Sequence, residues 1–213
     1  MGTHKRAAAA VLFVAAFSLA GAARAQAVLD DWSRLAFPPA PALKSAKLDP
    51  ATTALLLLDF THQTCSRERR PRCAASVPKL KQLHDRARAS GVLVIYSIAT
   101  ADSKPADILP EIAPREGDTV LPSLGPDKFV KSEFEKLLRD RKIQTVIVTG
   151  TAAQTTVLHT ASSAALRGFK VVVPVDAMSS NDAFPEAYTA WHLANAARIM
   201  AATTLTRADD ISY

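Results

Sequence analysis

Three positions invite a search for chemistry because each follows a run of apolar residues: Asp59 after 52–58, Gly150 after 145–149 and Asp176 after 170–175. Such runs mark strands buried on both faces, and in sheets of these strands ligands bind outside the carboxyl ends. Asp59 offers a carboxylate for proton transfer, with a loop cap as the plain alternative. Asp176 fits better as a cap on the turn before Met178, Ser179 and Ser180. The two cysteines, Cys65 and Cys73, lie eight positions apart. No second Cys or His pair has zinc-ligand spacing, so they read as a local disulfide formed in an oxidising compartment. His62, three residues beyond Asp59, reads either as a pocket residue or as a loop histidine. Phosphate-cradling glycine loops, a G-x-S-x-G elbow and H-E-x-x-H are all absent, and seven glycines leave no dinucleotide fingerprint. No metal site and no cofactor is expected.

The elements that must position these residues alternate between strand and helix patterns. Ser76, with Pro78 behind it, reads as a helix start whose face is Leu80, Leu83 and Ala87, and Gly91 ends it. Residues 92–98 form a second strand. Ser132 and Glu135 read as a capping box ahead of Phe134, Leu137 and Leu138. A helix over about 154–167 closes at Gly168, one over about 185–200 follows, and 203–205 reads as a short edge strand. This alternation implies right-handed crossovers and a parallel sheet with helices on both faces. Residues 100–131 break the rhythm, proline-rich and irregular apart from a short strand near 118–121, and so long a connection is usually functional.

The N-terminal residues 1–25 look separate from this domain. Lys5 and Arg6 precede an apolar stretch over 7–20, and Ala23-Arg24-Ala25 precedes Gln26, which together read as a cleavable signal peptide. A retained membrane anchor is the competing reading, but the stretch is shorter than the ~20 residues a bilayer span needs. Removing 25 of 213 residues leaves 188, enough for one domain with a substantial core. The leader holds three basic residues and no acid, so the formal charge falls from +6 to +3. Arg67, Arg69, Arg70 and Arg72 cluster, but they read as a solvated loop, and no nucleic-acid partner is expected at so small a charge. No later segment is long and apolar enough to span a membrane. Residues 26–49, rich in Ala and Pro, read as an arm, leaving 50–213 as the domain.

Over about 52–182 the chain resembles the isochorismatase-like hydrolases. The resemblance rests on the apolar strand ending in Asp59 and, most specifically, on "GTAAQTTVLHTASSAALRGFKVVVPVDA" from Gly150 to Ala177. It implies a Rossmann-like three-layer αβα sandwich with a mainly parallel sheet, a fold that commonly forms homo-oligomers. Most such proteins are cysteine amidases, and a smaller group hydrolyses a vinyl ether without the cysteine. The family acid falls on Asp59. The family lysine, counted within "EGDTVLPSLGPDKF", falls on Ser123, with Lys128 nearby as a spatial substitute or as a surface lysine. The nucleophilic cysteine falls on Thr156, a hindered hydroxyl that needs a dedicated base. The family's cis peptide and oxyanion amides fall at Thr151 and Ala152, and the nicotinamidase D-x-H metal cluster is not reproduced. Two functions follow: an exported hydrolase acting on a small polar molecule through Asp59 as acid or base, or a binding protein that keeps the pocket without turnover.

Overall fold

The computed structural model describes residues 28–122 and 125–213. The expected leader, residues 1–25, and its cleavage site lie outside them. The described residues up to Phe37 belong to one unit and Pro38–Tyr213 to another. The first contains α1 (Val28–Asp31) and a 3-10 turn, Trp32–Arg34, with Arg34 paired to Asp31 at 2.7 Å.

The second unit runs β1 (Ala46–Lys47), β2 (Thr53–Leu58), α2 (Pro71–Ala89), β3 (Leu93–Ser97), β4 (Thr119–Leu121), α3 (Phe134–Asp140) and β5 (Thr145–Thr151). It continues with α4 (Leu158–Leu166), β6 (Lys170–Pro174), β7 (Met178–Ser179), α5 (Ala183–Asn195), β8 (Thr203–Thr206) and β9 (Ile211–Ser212). The main sheet has the order β4-β3-β2-β5-β6-β8, with β7 pairing the end of β5, and all its ladders are parallel. β1 and β9 form a separate parallel pair, so part of the expected irregular arm is strand.

The apolar runs are continuous because neighbouring residues bury on opposite faces. Ala54, Leu56 and Leu58 join Val146, Val148, Val171 and Val173 in one core, roofed by residues of α3, α4 and α5. Leu55 and Leu57 join Ile147 and Val172 in the other, against Leu80, Leu83 and Ala87 of α2. Three layers follow from that alternation.

Local readings shift in four places. Helix α2 starts at Pro71, where proline needs no partner for its missing N–H, and Pro78 lies inside it. Ser76 does not cap; its hydroxyl turns back to the Cys73 carbonyl at 2.8 Å. Ser132 accepts from the Phe134 amide but donates to the Lys128 carbonyl, while Glu135 pairs with Arg139 and Arg167 instead of closing a capping box. A π-helical turn, Ala153–Val157, precedes α4. Asp176 accepts from the distant Ala208 amide at 2.8 Å, tying the turn after β6 to the C-terminal segment.

Strand order reverses between β2 and β5, and Gly150 lies at that junction beside Leu58. A Cβ on Gly150 would meet Leu58 Cβ at 3.0 Å, the Leu58 carbonyl at 3.1 Å and Val157 Cγ2 at 3.1 Å. None of these neighbours is a flexible tip. Gly150→Ala should therefore lower the unfolding free energy by about 1–3 kcal/mol, measured by urea denaturation. A loss below about 0.5 kcal/mol, the range of an ordinary surface substitution, would show that the strands have room to separate.

Candidate active site

Strand order reverses between β2 and β5, the place where open parallel sheets bind ligands, and Asp59 stands at that junction, 5% exposed. Its backbone adopts φ 63°, in the left-handed region that Asp tolerates better than most residues. The Asp59 amide donates to both the carbonyl and the hydroxyl of Ser97, each at 3.2 Å. Ser97 terminates β3 beside β2, so the same rule about strand ends that singles out Asp59 would have found it.

Four contacts converge on the Asp59 carboxylate. Ser97 Oγ donates to Oδ1 at 2.6 Å and Thr156 Oγ1 donates to Oδ2 at 2.8 Å. Lys128 Nζ reaches Oδ1 at 3.0 Å and Oδ2 at 3.1 Å, with its remaining acceptor the Gly125 carbonyl at 3.0 Å. Lys128 is 1% exposed, so it is a buried partner and not a surface lysine. All three ammonium protons have acceptors, which a buried lysine requires.

Lys128 is held from α4. Its amide donates to Thr160 Oγ1 at 3.3 Å, Thr160 Oγ1 donates to the Pro126 carbonyl at 3.2 Å, and Ser163 donates to the Asp127 carboxylate. The irregular connection thus has a definite task at its end. Ser123, the position reached by counting without a gap, lies outside the described residues. Sequence counting missed Lys128 because the loop, not a strand, delivers it.

Thr156 is buried within the π-helical turn. Its hydroxyl therefore meets a carboxylate, an acceptor that the sequence alone does not reveal. Thr151 and Ala152 follow from β5 and are joined by a cis peptide. His62 stands apart: its side chain is 63% exposed and its Nδ1 lies 3.3 Å from the Asp107 carbonyl. Its side-chain contacts are to Asp107 and none is to the Asp59 carboxylate.

Cys65 and Cys73 form a disulfide. It ties the loop after Asp59 to the first turn of α2 and encloses the arginine cluster, which is not uniformly solvated. Arg72 donates to both oxygens of Glu186, and Glu186 accepts the Ser180 amide at 2.8 Å. Arg70 is half-buried; its Nη1 donates to Thr151 Oγ1 at 2.6 Å and its Nε to Asn181 Oδ1 at 2.8 Å. Burial, followed by the charge of Arg69, pulls the Arg70 guanidinium below its usual value. Among the described residues no group of three or more His, Cys, Asp or Glu is placed to hold a metal. No helix among them is long and apolar enough to cross a membrane.

The chain is 26% identical over 117 residues to a secreted isochorismatase effector of Verticillium dahliae, covering 51% of this chain and 62% of that protein. It is 30% identical over 124 residues to an N-carbamoylsarcosine amidase of Arthrobacter, covering 46% of this chain and 47% of the relative. The matches thus span about half to two thirds of these relatives. An isochorismatase family protein of Desulfovibrio vulgaris superposes with a TM-score of 0.66 at 23% identity, over 74% of this chain and 95% of its own. N-carbamoylsarcosine amidase of Thermoplasma acidophilum does so with a TM-score of 0.62 at 23% identity, over 74% and 97% respectively. These two likenesses establish the fold. The model of the isochorismatase domain matches residues 53–208, most of the second unit and all of the Asp59 group, and the chain therefore belongs to the isochorismatase family.

Proposed function

We propose that this chain is an exported hydrolase of small polar molecules that works without a cysteine, using Asp59 to move the proton. The observation that carries the reading is the buried Asp59 carboxylate, held by Lys128 and Ser97 and touched by the Thr156 hydroxyl. In the proposed reaction Asp59 takes a proton from water as the water oxygen bonds to the substrate. The bond to the leaving group breaks, and Asp59 returns that proton to it. Lys128 holds the carboxyl group in place throughout and balances its charge whenever it is ionised. Thr151 and Ala152, at the end of β5, would face the substrate. A buried ion pair is costly to desolvate, by several kcal/mol per ion, and a protein that only binds has no need of one. That favours turnover over binding alone.

A second chemistry has one observation behind it. Thr156 Oγ1 lies 2.8 Å from Asp59, the spacing of a nucleophile and its base. In that case the hydroxyl proton passes to Asp59 while Thr156 bonds to the substrate, and water later releases the product.

Two substitutions separate these routes on a panel of small amides, esters and vinyl ethers. With water as nucleophile, Thr156→Ala should retain activity within about tenfold, or ~1.4 kcal/mol of barrier. Asp59→Asn, whose side chain also suits a left-handed backbone, should lose about a hundredfold or more. Abolition by Thr156→Ala, with a covalent adduct on Thr156 seen by mass spectrometry in the unsubstituted protein, would replace the first route by the second.

Lys128 should also matter for the fold itself. Removing one partner of a buried pair strands the other, so Lys128→Met should lower the unfolding free energy by about 3–5 kcal/mol. In a double-mutant cycle Asp59→Asn, which removes the charge and fits the left-handed backbone, should recover much of that loss. Additive losses would mean that the two groups do not depend on each other.

Export is supported by the disulfide and by the secreted relative. Residues 1–25 would then be a leader, 26–49 an arm and 50–213 the hydrolase domain. The intact mass of protein recovered from periplasm or medium should begin at Gln26, with no thiol open to labelling after unfolding. A mass that includes Met1, or two free thiols, would contradict export.

A further inference from the structure

We infer that Arg70 is the anion-binding residue of this site and that the substrate carries a carboxylate. This rests on the proposed function for its substrate and deepens it by naming the group recognised. Arg70 is the N-cap residue of α2, at the end of the segment braced by the Cys65–Cys73 disulfide. It leans inward onto Thr151 Oγ1 at 2.6 Å, at the end of the strand that leads into Thr156. Its other side-chain contact is the neutral Asn181 amide oxygen at 2.8 Å.

Charge accounting singles Arg70 out. Lys128 and Asp59 neutralise each other, and Arg72 is matched by Glu186. Among the described residues no carboxylate lies within ion-pair distance of Arg70, although it is half-buried. A partly desolvated cation without an acid is costly unless an anion completes it. Its Nε and Nη1 are occupied by neutral acceptors that aim the planar group, and Nη2 has no partner among the described residues. Arginine in this state suits a carboxylate, whose two oxygens match the guanidinium fork. A second group is also unmatched here. Ser179, the ladder partner of Thr151, buries its hydroxyl without a hydrogen-bond partner. The end of β5 thus has both an uncompensated charge and an unused hydroxyl.

The test is calorimetric binding of benzoate, pyruvate and succinate, each against its primary amide, to the oxidised protein. The unsubstituted protein should prefer at least one acid over its amide by about tenfold or more, as expected for a charged hydrogen-bonded pair. Arg70→Gln should abolish that preference, and Arg70→Lys, which keeps the charge and loses the fork, should keep a weakened one. Melting curves of both variants check folding, and the Lys variant keeps the test decisive if the Gln variant unfolds. Carboxylate binding by the unsubstituted protein without turnover of any amide, ester or vinyl ether on the panel would count against the proposed chemistry alone. Equal binding of acids and amides, no acid bound at millimolar concentration, or a preference untouched in both Arg70 variants would overturn the assignment. Binding of inorganic phosphate in place of every carboxylate would overturn it as well.

Discussion

Taking Asp59 and Lys128 out of water together is the constraint that the rest of this fold must satisfy. Each ion alone would be costly to bury, and even paired they need every remaining lone pair and proton occupied. The structure supplies those partners from three separate segments: Ser97 at the end of β3, Thr156 in the turn after β5, and Gly125 in the long connection. No short stretch of chain could provide this set. The parallel sheet can, because it brings the carboxyl ends of distant strands side by side.

The same need sets the tolerances around the pair. Gly150 lets the end of β5 approach Leu58 closely, so that the turn bearing Thr156 can reach Asp59. The connection before α3 is anchored to α4 through Thr160 and Ser163, which fixes the position of Lys128 despite the absence of regular structure there. On the other side the disulfide ties the loop after Asp59 to α2, whose outer residues Lys79 and Arg86 reach Asp209 and Ala208 near the C-terminus. Two very different devices therefore support one carboxylate: hydrogen bonds to a helix on one side and a covalent link on the other.

What the sequence reveals follows from which forces are periodic. The apolar runs at β2, β5 and β6 are legible because burial on both faces leaves no polar position, and with them come the sheet and Asp59 at its end. Lys128 is only half legible: it can be named as a nearby substitute, but its depth cannot be read, since it arrives from an aperiodic loop and depends on Thr160, a residue many positions away. An ungapped count points to Ser123 because counting assumes a fixed path where the chain has a free one. Arg70 is hidden for another reason. In sequence it is one of four arginines in a charged loop, and only the fold separates the one matched by Glu186 from the one that meets Thr151. The start of α2 is misjudged because Ser76 looks like a cap, whereas Pro71 already begins the helix. The hydroxyl of Thr156 seems idle in sequence because its acceptor belongs to a strand far upstream.

The backbone angle at Asp59 has a consequence for how this lineage can drift. At φ 63° the chain admits few residue types without strain: glycine, asparagine and aspartate chiefly. Glutamate, the other carboxylate, is poorly suited to that angle, so the acid has no near substitute. The replacements that fit the backbone best are those lacking the acid. Once Lys128 is also replaced by an uncharged residue, selection for folding would admit the very changes that silence the chemistry, leaving well-folded descendants with an unaltered sheet and an inert site. In such a lineage, abundance in the cell would be a poor guide to activity, and the identity of this one residue a good one.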